Sequence, residues 1–134
     1  MRRPPASRPR QERTEEYVGA EPRAPRPRLA DDEARAGAEL LKALADPTRL
    51  HILDVLSQRQ GDVCVCDLEG VVGLPDSHTG QRPRQSTISH PLRVLREAGL
   101  VGYERRGQWA YYFVQQNRLA LARNLLLGLR PRES

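Results

Sequence analysis

Cysteine is nearly absent from this chain: 134 residues contain two, Cys64 and Cys66. That count excludes a tetrahedral four-sulfur metal site within one protomer. Adjacent geometry strains a bridge between positions i and i+2, so two free thiols and a cytoplasmic protein are expected. Long hydrophobic runs are missing too. No stretch approaches the roughly 18 apolar residues that a membrane helix needs. The N-terminus is basic, but no apolar segment follows it as a secretory signal requires, and prolines spoil an amphipathic transit peptide. Neither a nucleophile–base arrangement nor a phosphate-cradling glycine loop is present. The Cys-x-x-Cys spacing of a thiol oxidoreductase is absent, as is its βαβ setting. No internal repeat is visible. An enzyme is therefore not expected.

What is there divides unevenly along the chain. Residues 1–30 hold eight arginines and six prolines, four glutamates and almost nothing apolar. Such a stretch cannot bury enough surface to offset its chain entropy, and it reads as a disordered Arg/Pro-rich tail that aids solubility or scans DNA non-specifically. Residues 31–130 then form one small domain, marginal alone and helped by dimerisation. The formal charge of +5 hides a segregation within it. Residues 31–81 carry ten acids against four bases, whereas residues 82–106 carry six arginines against two glutamates. A local basic patch on a near-neutral domain suits a nucleic-acid footprint.

Periodicity supplies the elements. Asp31 and Asp32 open an alanine-rich helix whose apolar face is Leu40, Leu41 and Leu44. Asp46-Pro47 reads as an N-cap and first helical position, followed by Leu50, Leu53 and Ser57 on one line, with Ile52, Val55 and Leu56 thickening the apolar stripe. A short third helix is expected from Val65 to Val72, closed by Gly73, then a loop through Pro75 and Pro83. The fourth helix should run from Ser86 to Ala98, with Ile88, Leu92 and Leu95 inward and Gly99 as C-cap. Strands at Leu100–Arg105 and Gln108–Val114 turn at Arg106-Gly107. A last helix, Asn117–Leu129, shows one line of Leu119, Ala122, Leu126 and Leu129 and another of Leu121 and Leu125. One line can face the domain and the other a partner subunit. The fold class is mainly α with a small β-hairpin, in the order of a dimeric winged helix-turn-helix.

Four segments sharpen this. They are Leu41-Lys42-Ala43-Leu44-Ala45-Asp46-Pro47-Thr48-Arg49-Leu50, Cys64-Val65-Cys66-Asp67-Leu68, Ser86-Thr87-Ile88-Ser89-His90, and Leu92 through Val101. Together they resemble the ArsR/SmtB family of winged helix-turn-helix metalloregulatory repressors over roughly residues 36–115, and in particular its arsenic-sensing members with a Cys-Val-Cys site on the third helix. The resemblance implies a homodimer that holds operator DNA when ion-free and releases it when the ion binds. Two departures stand out. Some nine extra residues, Asp76 to Arg84, separate the third and fourth helices, and Pro91 stands where relatives often have histidine. The insertion offers Arg82 and Arg84 as phosphate contacts, or is a tolerated surface excursion.

The expected DNA-binding residues are Gln85, Ser86, Thr87, Ser89, His90 and Arg93 on the fourth helix, with Arg105 and Arg106 at the wing tip. Hydroxyls and imidazole suit base edges or phosphates, arginine clamps guanine bidentately, and residues near the N-terminus of such a helix reach deepest. The expected metal ligands are Cys64 and Cys66. On a regular helix they lie about 200° apart, so joint ligation would require the first turn to unwind. Thiolates select soft ions: As(III) or Sb(III) first, Cd(II) or Pb(II) next, with Zn(II) and Cu(I) also in range. The position three after the second cysteine, where several relatives carry a third, is Glu69. A third donor must be water, a small thiol or an oxygen, with Asp62 and Asp67 the nearest carboxylates. The last helix lacks the acidic and histidine ligands of the zinc site found in other relatives. No cofactor is expected for folding. The competing reading of the same cysteines is a redox or persulfide switch. His51 is expected to pack or cap within the second helix, and His78 lies in the insertion.

Overall fold

A computed structural model describes residues 24–59 and 61–131. Most of the N-terminal tail therefore lies outside the described residues, and residues 24–30 carry no helix or strand. The chain divides at Asp31–Asp32 into an N-terminal unit and a larger C-terminal one, which holds the whole hydrophobic core. Among the described residues five helices and three strands occur in the order α1 Asp31–Leu44, α2 Pro47–Gln58, β1 Val63–Cys64, α3 Val65–Leu68, α4 Gln85–Glu97, β2 Val101–Arg106, β3 Trp109–Val114 and α5 Gln116–Leu127.

The α1–α2 corner is built by Asp46 and Arg49. Asp46 has an extended backbone and its Oδ2 accepts the Arg49 N–H at 3.0 Å, with Pro47 in the first helical turn. That cap contributes about 1 kcal/mol. Arg49 folds back so that Nε donates to the Ala43 carbonyl at 2.6 Å and Nη2 to that of Lys42 at 3.2 Å, satisfying the exposed carbonyl end of α1. In α2 the inward residues are Ile52, Leu53 and Leu56, whereas Leu50 is 52% exposed. Ile52, Leu53 and Leu56 belong to the expected apolar stripe, and Leu50 is the member of it that faces outward.

The third helix is one turn, not two. Glu69 leaves the helical region at ψ 130° and Gly70 adopts φ +78°. Glycine takes this left-handed conformation without steric cost. The turn then drops Val72 fully into the core. Gly73 follows at φ +85°, and a methyl group there would lie 2.6 Å from Pro83 Cγ. Pro83 and Gly73 therefore pack ring against backbone, and the Gly70 N–H donates to the Pro83 carbonyl at 3.3 Å. The His51 Nδ1 accepts the Gly73 N–H at 2.9 Å, so this histidine packs against the loop and not only within α2.

The inserted segment between α3 and α4 is a closed excursion. The Asp76 Oδ1 accepts the N–H groups of His78 and Thr79 at 2.7 and 3.0 Å. The Thr79 and His78 bonds hold the Asp76 carboxyl below its ordinary value of 3.8, so the turn is fully supported at neutral pH and loosens only in acid. Arg82 Nη1 donates to the Gly73 carbonyl. That guanidinium ties down the loop it belongs to.

Helix α4 lays Ile88, Leu92 and Leu95 into the core with Leu68, Val72 and Leu100. Each such side chain contributes about 1.5–3 kcal/mol by leaving water. It ends as expected, with Gly99 at φ +76° and the Leu100 N–H returning to the Leu95 carbonyl at 2.9 Å. Arg118 of α5 donates from Nε to the Ala98 carbonyl at 3.2 Å and so fixes α5 to that exit. The hairpin turns one residue later than expected, over Gly107-Gln108, with Gly107 at φ +65°. Along α5 the inward residues are Leu119, Ala122 and Leu125, mixing the two expected lines, and Leu125 Cδ2 closes on Gly37 of α1. Leu121, Leu126, Leu127 and Leu129 are left 53–64% exposed. Among the described residues no helix is long and apolar enough to cross a membrane.

Candidate DNA-reading face and thiol site

Helix α4 begins at Gln85, with Arg84 as an extended N-cap whose carbonyl receives the N–H groups of Thr87 and Ile88 at 2.9 and 3.1 Å. Gln85, Ser86, Thr87, Ser89, His90 and Arg93 are all exposed, opposite the buried Ile88–Leu92–Leu95 line. The expected reading residues therefore share a solvent face. Pro91 is the seventh residue of this helix, past the first turn, and it cannot supply the N–H that Thr87's carbonyl would otherwise receive. Helix α4 runs through it nonetheless, held from beneath by Leu92 and Leu95.

At the wing tip the two arginines differ. Strand alternation places Arg105 and Arg106 on opposite faces. The Arg105 side chain makes no hydrogen bond, ion pair or ring contact among the described residues. Arg106 is engaged inside the molecule. Its Nη2 donates to the Gly61 carbonyl at 2.9 Å and lies 3.5 Å from Glu104 Oε1, and its guanidinium sits 4.5 Å from the Tyr111 ring centroid. Arg96 of α4 stacks similarly over Tyr103 at 4.9 Å, and Tyr103 meets Tyr112 at 5.6 Å. The wing is pinned to α4 by that aromatic rail.

Cys64 and Cys66 straddle a strand end that the sequence does not announce. Val63 and Cys64 pair antiparallel with Tyr112 and Tyr111, making the wing three-stranded in the order β1-β3-β2. Cys64 is thus the extended residue that precedes α3, at φ −95° and ψ 170°, and only Cys66 is helical. This corrects the expected need for unwinding. With one cysteine extended and the other in the first turn, the side chains converge without any change of backbone. The Cα atoms are 5.4 Å apart and the sulfurs are joined, which also corrects the expectation of free thiols. That separation falls inside the usual range for a bridge, and with Cys64 extended the pair escapes the roughly 200° divergence that two helical residues at this spacing would have.

Asp67 completes the cluster. Its Oδ2 accepts the Cys64 N–H at 3.0 Å, as the third residue of α3 reaching back to the N-cap. Ligand atoms of Cys64, Cys66 and Asp67 all lie within 4.8 Å of one another, with Cys64 buried and the other two exposed. Asp62 is not in that group. Cys64 is shielded and Cys66 open to solvent, so a small species can reach the pair from one side.

Sequence reasoning missed β1 and, with it, Tyr111 as the cross-strand neighbour of Cys64. The only signal was the alternation Asp62-Val63-Cys64-Val65, too short to separate from a helix start.

No family model matches the chain. Curated proteins do. An uncharacterized HTH-type transcriptional regulator of Methanocaldococcus jannaschii is 38% identical over 82 residues, 61% of this chain and 81% of that one. A transcriptional repressor SmtB homolog of Synechocystis is 37% identical over 64% of this chain and 57% of its own length. A cadmium resistance transcriptional regulatory protein CadC homolog of Staphylococcus aureus is 39% identical over 63% of this chain and 61% of its own. The chain therefore spans less than two thirds of the last two. Among solved structures, a "possible transcriptional regulator for arsenical resistance" superimposes with TM-score 0.55 at 32% identity, covering 70% of this chain and 86% of that one. A homodimeric winged helix-turn-helix DNA-binding domain from Mycobacterium bovis gives TM-score 0.51 at 28% identity, covering 77% and 90%. With a three-stranded wing, an exposed polar face on α4 and a Cys-Val-Cys corner in place, the chain belongs to the ArsR/SmtB family of metalloregulatory winged helix-turn-helix transcriptional repressors.

Proposed function

We propose that the protein is a homodimeric repressor that holds operator DNA through α4 and the wing and lets go when a thiophilic ion occupies Cys64 and Cys66. The observation that carries this reading is the gathering of two sulfurs and one carboxylate within 4.8 Å at the corner where β1 becomes α3. Arsenite or antimonite suits that donor set best. Once a cellular dithiol or thiol reductant has opened the Cys64–Cys66 bond, the two thiols condense with As(OH)3, forming two As–S bonds and releasing two waters, and one oxygen remains on arsenic. Two sulfurs and one oxygen then surround the ion in a pyramid, with the Asp67 carboxylate alongside as an alternative oxygen donor. Cadmium or lead is second, because these ions take the same thiolates but favour more of them. Support for an ion comes from relatives named for arsenical and cadmium resistance. Support for a dimer comes from the exposed leucines of α5 and the homodimeric structural neighbour.

On DNA, the exposed side chains of Gln85, Ser86, Thr87, Ser89, His90 and Arg93 would enter the major groove, with Arg105 reaching a flanking backbone. Effector binding would reach this face because Leu68 of α3 shares a core with Ile88 and Leu92 of α4. A change at the corner tilts α4, and a tilt of one recognition helix breaks the match of two half-sites.

A second reading has its own observation. The sulfurs are bonded to each other, so oxidation of the pair is sterically allowed at this corner. Hydrogen peroxide would take two electrons and two protons from the thiols, giving the disulfide and two waters, and the repressor would sense oxidant instead of ion.

Fluorescence anisotropy of labelled promoter DNA separates these readings. Reduced protein is titrated with arsenite, antimonite, cadmium, lead and zinc, and in parallel with peroxide. The expected result is release by one of the first four ions at concentrations stoichiometric with the thiols. Release by peroxide alone would select the redox switch, and no release by any of them would remove the effector role of the pair.

A further inference from the structure

The thiol corner is joined to the wing as closely as to the recognition helix. Cys64 and Tyr111 are direct partners across β1 and β3, so their side chains stand on the same face of the sheet. Arg106 lies over that same Tyr111 ring, 4.5 Å from its centroid. The other end of the guanidinium donates to the Gly61 carbonyl at 2.9 Å, three residues before Cys64. One arginine from the wing tip thus reaches the cysteine strand by two routes, once through the carbonyl of its approach loop and once through the ring of Cys64's cross-strand partner. Its neighbour Arg105, on the opposite face, has no such partner among the described residues.

We infer that Arg106 and Tyr111 form a clasp that couples the state of Cys64 and Cys66 to the position of the wing, and that Arg106 is a positioning residue while Arg105 is the wing's phosphate contact. The inference rests on the thiol-controlled repressor reading and names the route by which that control reaches the wing. The coupling is geometric. Any ligand that shifts the Cys64 side chain presses on the Tyr111 ring, and the ring is the platform for Arg106. Moving the platform strains the Gly61 hydrogen bond, because a planar guanidinium cannot follow the ring and keep its carbonyl partner at once. The strand pair β2–β3 is a single hairpin, so a shift at Arg106 moves Arg105 with it.

The chain's single tryptophan makes the clasp measurable. Trp109 sits opposite Arg106 in the β2–β3 register, half exposed, so its emission reports the clasp without a label. Full-length protein is compared reduced, loaded with arsenite, and oxidised with hydrogen peroxide, as wild type, Tyr111→Leu and Arg106→Gln. Thiol titration confirms that each variant engages the reagent, and operator affinity is measured against salt in each state. The wild type should change its Trp109 emission when the thiols are occupied or joined. Both variants should lose that change, and their effector-induced weakening of operator binding should shrink at least about fivefold from the coupling range usual for such proteins. The salt slope of Arg106→Gln should stay at the wild-type value. A slope shallower by about 0.9, the amount that one neutralised phosphate contributes, would make Arg106 a phosphate ligand and overturn the inference. So would a wild-type emission that ignores the thiols, or variants that respond in full. Should Trp109 respond while operator affinity does not, the repressor reading fails and the clasp stands. An operator response with silent Trp109 does the reverse. Arg106→Gln alters only an exposed side chain, so the test survives if Tyr111→Leu fails to fold.

Discussion

Replacing Cys64 and Cys66 together by serine is expected to leave operator DNA bound at arsenite concentrations that strip it from the native protein. Effector coupling in allosteric proteins is commonly about 5–150-fold in affinity, and the double variant should show none of it. The substitution is a clean one. Serine is close in size to cysteine, and Cys64 occupies the N-cap of α3, where serine is among the favoured residues. The Cys64 N–H still finds Asp67 Oδ2, since that bond uses backbone on one side and carboxylate on the other. Loss of response therefore cannot be assigned to loss of the corner. Ion-free operator affinity should match the wild type within about twofold, because Cys66 is exposed and serine at the buried Cys64 is near-isosteric and keeps a favoured N-cap side chain. Of the single variants, Cys64→Ser removes the shielded sulfur and Cys66→Ser the open one, and either alone leaves one thiol, too few to replace two hydroxides on arsenic. Anisotropy with arsenite, read beside thermal unfolding of each variant, checks all of these outcomes. A double variant that still lets go of DNA on arsenite addition would place the effector site elsewhere.

Glutamate at both Leu121 and Leu126 is expected to give a monomer that binds its operator about 10²–10⁴-fold more weakly, the gain that linked binding usually brings. These two leucines are 54% and 53% exposed, and Leu127 and Leu129 near them are 57% and 64% exposed. Three leucines so open on one short helix, with Leu129 just past its end, represent apolar surface that a single chain leaves in water, worth about 1.5–3 kcal/mol for each that a partner covers fully. A charged residue in that patch reverses the sign of the contribution on both sides of a two-fold interface. The domain itself should survive, because α5 holds to the body through Leu119, Ala122 and the Arg118 bond to Ala98, none of which is touched. The DNA penalty follows from linkage of two recognition helices: the second half-site is engaged at an effective concentration set by the dimer, and separation removes it. Sedimentation equilibrium gives the mass and anisotropy the affinity. A variant that stays dimeric would move the interface off α5, and a monomer with undiminished affinity would show that one reading helix suffices.

How much of the fold and the site was legible in the chain depended on how long each signal ran. Helix α4 was readable because Ile88, Leu92 and Leu95 repeat at helical spacing between a polar start and Gly99, and the structure buries all three. Asp46-Pro47 marked the α2 start because cap chemistry is local, and its side chain accepts the expected backbone N–H. The family was legible in short contiguous segments, since the corner and the reading helix are each specified within about ten residues. What stayed hidden was decided at a distance. Strand β1 is two residues long and exists because β3 lies beside it, far along the chain. Without it, Cys64 reads as helical, and the two sulfurs are placed on opposite sides of a turn when they in fact meet. The place of Arg106 at a hairpin tip suggests a DNA contact and says nothing of Gly61, 45 residues earlier, whose carbonyl its guanidinium holds. Likewise α3 lost its second turn to Gly70, a residue whose left-handed conformation a periodic apolar pattern does not reveal.

A site whose sulfurs are already gathered does not need to melt a helix to bind. In the proposed mechanism its effect comes from pushing on neighbours, Tyr111 across the strand and the Leu68–Ile88–Leu92 core beneath. Arsenic-edge X-ray absorption on reduced protein carrying one arsenite per protomer addresses that site most directly. Two sulfurs and one oxygen around arsenic, reduced to oxygen neighbours alone in the Cys64→Ser, Cys66→Ser variant, is the spectrum expected. An ion surrounded only by oxygen in the native protein would contradict the assignment of this corner as the sensor.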